Sequence, residues 1–281
     1  MLPAAQKDDA FLADVAAARA VGRSRLWWLG QSGFLLYTPA ATVLFDPYLS
    51  DSLTRKYAGT DRPHVRLTER VIAPGRLTGI DVITSSHNHT DHLDAETLLP
   101  LLAANPQARL LIPRANRAFV RDRLGDVADR LEVLDAGESI TLAGVEFHGI
   151  PAAHDTVERD AAGCHRFLGY VARVAGRTLY HSGDTRWHEG LPGALQPFRP
   201  HLALVPINGH NPARHVAGNL NGSEAAQLAA AIGASTAIPH HFDMFAFNTA
   251  SPDEFIAECH RLGRDHRVLR NGEGMWIEID R

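Results

Sequence analysis

The chain has 281 residues, a formal net charge of −4 and 45% hydrophobic residues, which is an ordinary composition for a globular protein. The negative charge provides no general attraction to nucleic acid or acidic membranes, and the two cysteines provide no disulfide framework. The 16 histidines are the unusual feature, because imidazole serves both as a metal ligand and as a proton carrier.

The first half of the chain changes from closely spaced strands to alternating strands and helices. The predicted elements are a helix at 9–20, strands at 26–29, 34–37, 42–45 and 81–86, a helix at 95–104, a strand at 109–112, a helix at 115–124, and strands near 131, near 139 and at 145–150. Residues 51–79 lack periodicity and are predicted to form a long loop, and such loops are often functional.

The second half repeats this order. The predicted elements are a hairpin at 167–175 and 177–181, a strand at 201–206, a helix at 223–232, a strand at 236–239, a helix at 252–262 and a strand at 275–279. Ser223, with Glu224 in the first turn, is predicted to begin its helix. Two similar halves predict an α/β fold with two β-sheets packed together and helices outside. We expect residues 1–281 to form one domain.

Four potential metal ligands lie within six residues, at the predicted end of the strand at 81–86. They are His87, His89, Asp91 and His92. Burying such polar groups is costly unless they have partners. A strand-to-helix turn allows the first two to reach one ion and the last two a neighbouring ion. The alternative, a histidine-rich surface turn, fits poorly with this spacing after a buried strand.

The run His87-Asn-His-Thr-Asp-His92 resembles the HxHxDH signature of the metallo-β-lactamase fold superfamily. The resemblance extends over about residues 26–279 and implies a four-layer αβ/βα sandwich with two mixed sheets. It also implies further metal ligands on loops that follow strands. Those ligands are His154, Asp184 and His241, and Asp46 is the implied residue that braces the metal loop.

The further ligands have alternatives when each is considered alone. His154 could be a satisfied core or surface histidine, and Asp184 could cap a helix. His240 competes with His241 for the last ligand position, and the family pattern selects His241. His181 is interpreted as structural or as a residue that supports a ligand without touching metal.

Within the superfamily, the chain resembles the branch that contains L-ascorbate-6-phosphate lactonase and N-acyl-phosphatidylethanolamine phospholipase D. The motifs are Trp27-Trp-Leu-Gly30-Gln-Ser-Gly33, His181-Ser-Gly-Asp-Thr185 and Ile238-Pro-His-His-Phe-Asp-Met-Phe245. Asn88 departs from this pattern, because many relatives have an acidic residue there. Similarity of this kind identifies a scaffold better than a substrate.

The resemblance implies two divalent metal ions, either zinc or manganese, with iron as an alternative. The implied assignment is His87, His89 and His154 on the first ion, Asp91, His92 and His241 on the second, and Asp184 with a hydroxide between them. Two such ions lower the pKa of a bridging water to near ~7 and polarise the oxygen under attack. Asp91 is the candidate residue to orient that hydroxide and carry its proton.

Candidate substrate-binding residues lie in two loops. Arg55 and Arg66 are in the loop at 51–79, and arginine binds phosphate or carboxylate by paired hydrogen bonds. Asn208, His210 and Arg214 are in a second loop, where His210 is the candidate to protonate a leaving group. The alternatives are a solvated charged loop and an ordinary loop histidine.

The leading functional hypothesis is hydrolysis of a small ester or lactone, including a phosphorylated sugar-acid lactone. The alternatives are a phosphodiesterase of phospholipase D or nuclease type on the same metals, and a non-catalytic metal-binding regulatory module. The sequence begins without a signal peptide, so we expect a cytoplasmic protein. Its expected partner is a small-molecule substrate, without nucleic acid or membrane, and a homo-oligomer is compatible with the sequence.

Overall fold

The computed structural model describes residues 1–214 and 218–277, which form two seven-stranded β-sheets with helices. The α-helices in these ranges are α1 Asp8–Val21, α2 Ser52–Lys56, α3 Ala95–Ala104, α4 Arg117–Leu124, α5 Leu191–Leu195, α6 Gly222–Ala231 and α7 Asp253–Arg261. The strands are β1 Arg25–Trp28, β2 Phe34–Tyr37, β3 Thr42–Phe45, β4 Val82–Thr84, β5 Arg109–Pro113, β6 Leu131–Leu134, β7 Ser139–Leu142, β8 Val145–Pro151, β9 Leu168–Val174, β10 Arg177–His181, β11 Leu202–Pro206, β12 Thr236–His240, β13 Asp265–His266 and β14 Gly274–Trp276.

Both sheets are mixed, as predicted. The first has the order β14-β1-β2-β3-β4-β5-β6, and it is antiparallel as far as β3 and parallel from β3 to β6. The second has the order β13-β12-β11-β10-β9-β8-β7, and it is antiparallel from β7 to β10 and parallel beyond. Each half therefore ends in parallel strands, whose carboxyl ends meet at one edge of the sheet.

Alternate side chains of β1 show how the layers form. Trp28 is buried between the two sheets in a cluster with Val171 of β9, whereas Trp27 faces the opposite side and contacts Phe11 of α1, with ring centroids 6.2 Å apart. This alternation is the period-two pattern of a strand buried on both faces.

The helices cover the outer faces of the sheets. α1, α3 and α4 contribute to the cluster over the first sheet, and α6 and α7 contact the parallel strands of the second. The predicted arrangement of two central sheets with outer helices is confirmed. In the described ranges, no helix combines the length and apolar character needed to span a bilayer. That residues 1–281 form one domain stays a prediction.

The start of α6 differs from the sequence prediction. Asn221, not Ser223, is the capping residue: its side chain accepts a hydrogen bond of 2.8 Å from the Glu224 amide, and its own amide donates to the Glu224 carboxylate at 3.0 Å. Ser223 lies inside the first turn, where its hydroxyl donates to Glu254. The reciprocal pair of hydrogen bonds is a capping box.

Replacement of the capping residue should therefore lower stability. We expect Asn221→Ala to lower the free energy of unfolding of the metal-free protein by about 1 kcal/mol, because the first turn of α6 loses a hydrogen-bond acceptor. For a protein of this size the midpoint should fall by about 2–4 °C in a thermal unfolding scan. Ser223→Ala is the matched control and should change stability by less than about 0.5 kcal/mol. Equal effects of the two substitutions would contradict this assignment.

Candidate metal centre

The segment after β4 turns sharply and presents the clustered histidines. The amides of His92 and Leu93 both donate to the carbonyl of His89, at 3.1 and 2.8 Å. The hydroxyl of Ser85 donates to the carbonyl of His87 at 2.8 Å. These contacts hold a compact turn between β4 and α3, so side chains close in sequence point in different directions.

The other predicted ligands come from strand ends of the second sheet. His154, Asp184 and His241 follow β8, β10 and β12. They meet the turn after β4, so the centre lies where both sheets end. Two groups of potential ligands have their donor atoms within 4.8 Å of one another: His87, His89 and His154 form one group, and Asp91, His92, Asp184 and His241 form the other.

Asp184 lies between the two groups. Its Oδ2 is 3.5 Å from His154 Nε2 and 3.4 Å from His241 Nε2, and its Oδ1 is 3.3 Å from His92 Nε2. Two ligand atoms that each lie about 2.0–2.1 Å from one tetrahedral ion are about 3.3–3.4 Å apart. The spacing around Asp184 therefore suits atoms that share cations.

Several of these donor atoms are buried without a hydrogen bond of good geometry. His87 Nε2 has none within the described residues, and His92 Nε2 and Asp184 Oδ1 have only their mutual contact at 3.3 Å. Buried polar atoms in native proteins nearly always have partners, so convergent atoms without them fit a metal site. The donor set of imidazoles and carboxylates suits divalent cations. Which ion each residue would hold stays a prediction.

Hydrogen bonds on the far side of the rings fix which nitrogen faces the centre. His92 Nδ1 donates to Asp46 Oδ2 at 2.7 Å, and His154 Nδ1 donates to the carbonyl of Gly218 at 2.8 Å. His87 Nδ1 lies 3.0 Å from the hydroxyl of Ser86. In each case Nε2 is left to face the centre, which is how outer partners orient metal-binding histidines.

Asp46 belongs to neither ligand group and lies behind the centre, at the end of β3. It is fully buried and accepts hydrogen bonds from the Ser86 amide at 3.1 Å and from the Thr84 hydroxyl at 2.9 Å. Burial alone raises the pKa of this carboxyl, but the imidazoles of His181 and His92 outweigh it and hold the pKa below its usual value. Asp46 is thus an ionised acceptor for His92, in the location predicted for it.

The carboxylates of the centre are also ionised. Burial raises the pKa of Asp184, but His241 and His92 outweigh burial and hold that pKa well below its usual value. The pKa of Asp91 is lowered well below its usual value despite burial, chiefly by His92. The net effect is two buried negative charges surrounded by imidazoles.

The imidazoles divide into two classes. Burial lowers the pKa of His87 well below its usual value and, with His154 nearby, lowers that of His89 to about 4. For His241 burial also lowers the pKa, but Asp184 and Asp91 outweigh it and raise the pKa to about 9. His92 is raised well above its usual value for the same reason.

His240 and His241 are adjacent in sequence but lie in different surroundings. His240 is buried and stacks on His181 with ring centroids 5.4 Å apart and planes at 6°. It contacts Ser32 and Ser182 and belongs to neither ligand group. His241 faces the other way and lies in the second group, as the family pattern implies.

Gln31 is a site residue that the sequence interpretation missed. Its Nε2 lies 2.8 Å from Asp91 Oδ2 and 2.9 Å from His241 Nε2, and its carbonyl accepts from the His241 amide at 3.0 Å. Gln31 lies between β1 and β2 in the motif Trp27-Trp-Leu-Gly30-Gln-Ser-Gly33, to which the sequence interpretation assigned no site residue. The contact joins residues 210 positions apart, which local spacing does not reveal.

Three residues of the centre have a left-handed backbone, although none is glycine. The φ angles are 49° at Gln31, 39° at Asp46 and 62° at His241. Such conformations cost roughly 1–3 kcal/mol each and concentrate at functional sites. Gly183 has a φ of 59°, and a Cβ there would lie 2.5 Å from Ser86 Cβ. Only glycine permits this approach of the Asp184 turn to the metal loop.

A cavity of about 440 Å³ opens over the two ligand groups. Its walls combine ligand residues, part of the long loop and one face of α4. The lining residues are Leu53, Lys56, Tyr57, Arg62, His64, Asn88, His89, Thr90, Asp91, Phe119, Arg123, His154, Asp184, His241 and Asn248. This volume lies within the range of about 300–1,000 Å³ of small-molecule sites.

Two arginines predicted to bind substrate do not line this cavity. Arg55 is 59% exposed and pairs with Glu96, and Arg66 is 7% exposed and pairs with Asp51 at 2.7 Å. Other residues of the same loop line the cavity instead: Leu53, Lys56, Tyr57, Arg62 and His64.

The second loop also differs from its prediction. Asn208 is buried and donates to Asn248 Oδ1 at 3.0 Å. His210 is exposed and packs against Gly218. Neither residue lines the cavity, so His210 is not placed to protonate a leaving group there. The Arg214 side chain lies outside the described residues.

The profile of a family described as Beta-lactamase superfamily domain matches residues 41–242. A metal-dependent hydrolase of Myxococcus xanthus is 27% identical over 276 residues, which cover 95% of this chain and 87% of that protein. A probable L-ascorbate-6-phosphate lactonase of Escherichia coli is 24% identical over 263 residues, which cover 84% and 74% of the two proteins. The structure of a metallo hydrolase from Ignicoccus hospitalis has a TM-score of 0.67 at 19% identity and covers 92% of this chain and 99% of that chain. The matched residues include both ligand groups.

Removal of the charge behind His92 should weaken metal binding. We expect Asp46→Asn to lower metal affinity by about 10- to 100-fold, because His92 loses the ionised acceptor that orients it. Asp135→Asn is a matched control: Asp135 also accepts from a histidine, His165, at 2.8 Å, but outside both ligand groups. Competition with a chromophoric chelator measures both variants, and equal affinities would contradict this role for Asp46.

Metal binding should displace protons. In the metal-free protein His241 has a pKa of about 9, and that of His92 is also raised, so below this pH protons compete with metal for Nε2. Affinity should therefore rise with pH by about tenfold per unit for each proton displaced and level off above the raised pKa values. Chelator competition between about pH 6 and about pH 9 tests this. An affinity that does not vary with pH would be inconsistent with the protonated imidazoles.

Proposed function

Because the chain belongs to the metallo-β-lactamase fold superfamily, we propose that it is a metal-dependent hydrolase that cleaves a small ester or lactone. The observation that carries the proposal is the convergence of two groups of ligand residues, most of them buried, at the floor of a cavity of about 440 Å³. A cavity of this size accepts a small molecule and encloses most of its surface.

Two divalent cations would occupy the centre. His87, His89 and His154 would hold one, Asp91, His92 and His241 the other, and Asp184 would contact both. The mixture of nitrogen and oxygen donors suits zinc, with manganese or iron as alternatives. When bound, such ions supply an activated water and a Lewis acid for the carbonyl under attack.

The residues of the chain would position the reactants. Asp91 is the candidate to orient the attacking water and accept its proton, since its carboxylate is ionised and lines the cavity. Gln31 holds this carboxylate through a hydrogen bond of 2.8 Å, so one oxygen of Asp91 is fixed in direction. An ordered acceptor within hydrogen-bond reach of the proton is the geometric requirement for general base catalysis.

The lactone or ester as substrate is supported by the relative described as a lactonase, at 24% identity. This level of similarity supports the reaction type more strongly than the identity of the substrate. A phosphodiester is the alternative substrate for the same residues, and a non-catalytic metal-binding module is the alternative of another class.

Loss of a ligand should abolish turnover without loss of the fold. We expect His89→Ala and Asp184→Asn to lower kcat/KM for a responsive lactone by at least about a hundredfold, since each removes a group that touches metal. Asp135→Asn, which removes a carboxylate outside the centre, should retain activity. The assay uses a panel of lactones, esters and phosphodiesters, with metal content measured in each variant.

The outcomes separate the three hypotheses. Turnover of lactones or esters that disappears in both variants supports the proposal, and turnover of phosphodiesters alone supports the alternative substrate. Stoichiometric metal without turnover of any substrate supports the non-catalytic module. Activity unchanged by chelation and in both variants would overturn a metal-dependent mechanism.

A further inference from the structure

One wall of the cavity is positively charged. Lys56 and Arg62, both in the long loop, line it together with Arg123 of α4. The acidic residues that line the cavity are Asp91 and Asp184, and these belong to the ligand groups. Apart from these two ligand residues, no carboxylate among the described residues that line the cavity faces the cations on this wall.

The three cations differ in how far the protein already uses them. Arg123 donates to the carbonyls of Asn88 and Leu93 at 2.9 Å each, so it braces the metal loop from outside. Lys56 lies over the ring of Tyr57, with its ammonium 5.2 Å from the ring centroid, and forms no ion pair within the described residues. Spare hydrogen-bond donors remain on Lys56.

Arg62 is the stronger indication of a missing partner. Its Nε is buried and has no hydrogen-bond partner in the described part of the chain. The same Nε lies 4.0 Å from the carboxylate of the neighbouring Asp61, which is 83% exposed, so this ion pair is weak. The Arg62 side chain lines the cavity and is 39% exposed, so an anion in the cavity can reach its guanidinium and supply a stronger partner than Asp61.

The segment that carries these cations is held in place without any ligand. The rings of Tyr57 and His64 stack with centroids 4.5 Å apart, and the Thr54 hydroxyl donates to the His64 carbonyl at 2.7 Å. His64 Nδ1 donates to the carbonyl of Arg62 at 2.8 Å, which fixes the backbone at that arginine. The wall is therefore preformed, and a preformed site loses little affinity to ordering.

The same segment is tied to the loop that carries a ligand of the second group. The Leu67 amide donates to the Met244 carbonyl at 2.8 Å, and the Ala246 amide donates to the Val65 carbonyl at 3.0 Å. These contacts follow His241 by only a few residues. The charged wall and the metal centre thus keep a fixed relation.

We propose that Lys56 and Arg62 form a binding subsite for an oxyanion, a phosphate or carboxylate group, on the substrate. The anionic group lies against the loop while the ester or lactone carbonyl lies over Asp91 and Asp184. The subsite binds the part of the molecule that does not react, so it sets substrate class: a small anionic ester or lactone. The choice of scissile bond rests on the proposed function, whereas the binding of an anion does not.

The test compares binding of three sugars that differ in one group. Calorimetry measures the binding of glucose 6-phosphate, glucuronate and glucose to the metal-loaded protein. Inorganic phosphate is added as a competitor, because it shows how much of the binding is direct coordination of the anion to metal. We expect at least one charged sugar to bind at least about tenfold more tightly than glucose, since a hydrogen bond to a charged group is worth about tenfold to a hundredfold in affinity. The two charged sugars distinguish a phosphate from a carboxylate subsite.

Matched variants assign the effect to the proposed residues. Arg62→Gln and Lys56→Gln should each lower the affinity of the charged sugar by about tenfold or more and leave glucose unchanged. Arg55→Gln removes the same charge one residue before Lys56, but its side chain is outside the cavity and pairs with Glu96, so it should bind as the wild type does. Unchanged thermal unfolding confirms that the variants fold.

Two results would overturn the subsite: charged sugars that bind no more tightly than glucose, or Arg62→Gln and Lys56→Gln proteins that bind them as well as the wild type. Turnover assays show whether the subsite or the proposed function has failed. Hydrolysis of neutral lactones with no preference for charged ones would overturn the subsite alone. The protein could instead bind charged sugars more tightly than glucose, lose this difference in both variants, and show no turnover. That result would overturn the proposed function and support the subsite.

Discussion

The contact of Asp184 with three imidazoles is the interaction on which the centre depends. Its two oxygens lie within 3.5 Å of Nε2 atoms that belong to both ligand groups, and these residues come from both β-sheets. The carboxylate therefore joins the two halves of the molecule at the edge where their strands end. Since Asp184 is only 3% exposed, its charge requires compensation from within the protein or from bound cations.

The same requirement explains the charge state of the metal-free centre. Asp46, Asp91 and Asp184 are ionised, and the raised pKa values of His92 and His241 provide positive charge beside them. In the metal-free protein, protonated imidazoles thus compensate the negative charge of the buried carboxylates. Divalent cations would compensate the same charge when bound. The left-handed backbone at Gln31, Asp46 and His241 adds strain that the surrounding sheets must hold, which is a common feature of functional sites.

The long loop at 51–79 shows how an irregular segment becomes a defined cavity wall. It pairs with the segment after His241 through the bridge between Arg66 and Phe245, and with the N-terminus through the bridge between Leu2 and Thr68. Tyr48, Leu53, Met244 and Phe245 form a small buried cluster beneath it. Backbone hydrogen bonds and apolar burial therefore fix the loop, so its charged side chains have set directions.

The sequence by itself determined most of the longer elements and the metal loop, because both depend on local information, but it did not predict the short elements α2, α5 and β13. The ligands outside the metal loop were implied by the family resemblance. Strand alternation and helix periodicity predicted β2, β3, β10 and α3 with their observed bounds, and the spacing from His87 to His92 identified a metal loop. Only the tertiary structure decided which distant side chains face the centre. Gln31 contacts His241 across 210 positions, and Lys56 rather than Arg55 lines the cavity. The direction of a loop side chain depends on the packing of segments remote in sequence, which no local pattern records.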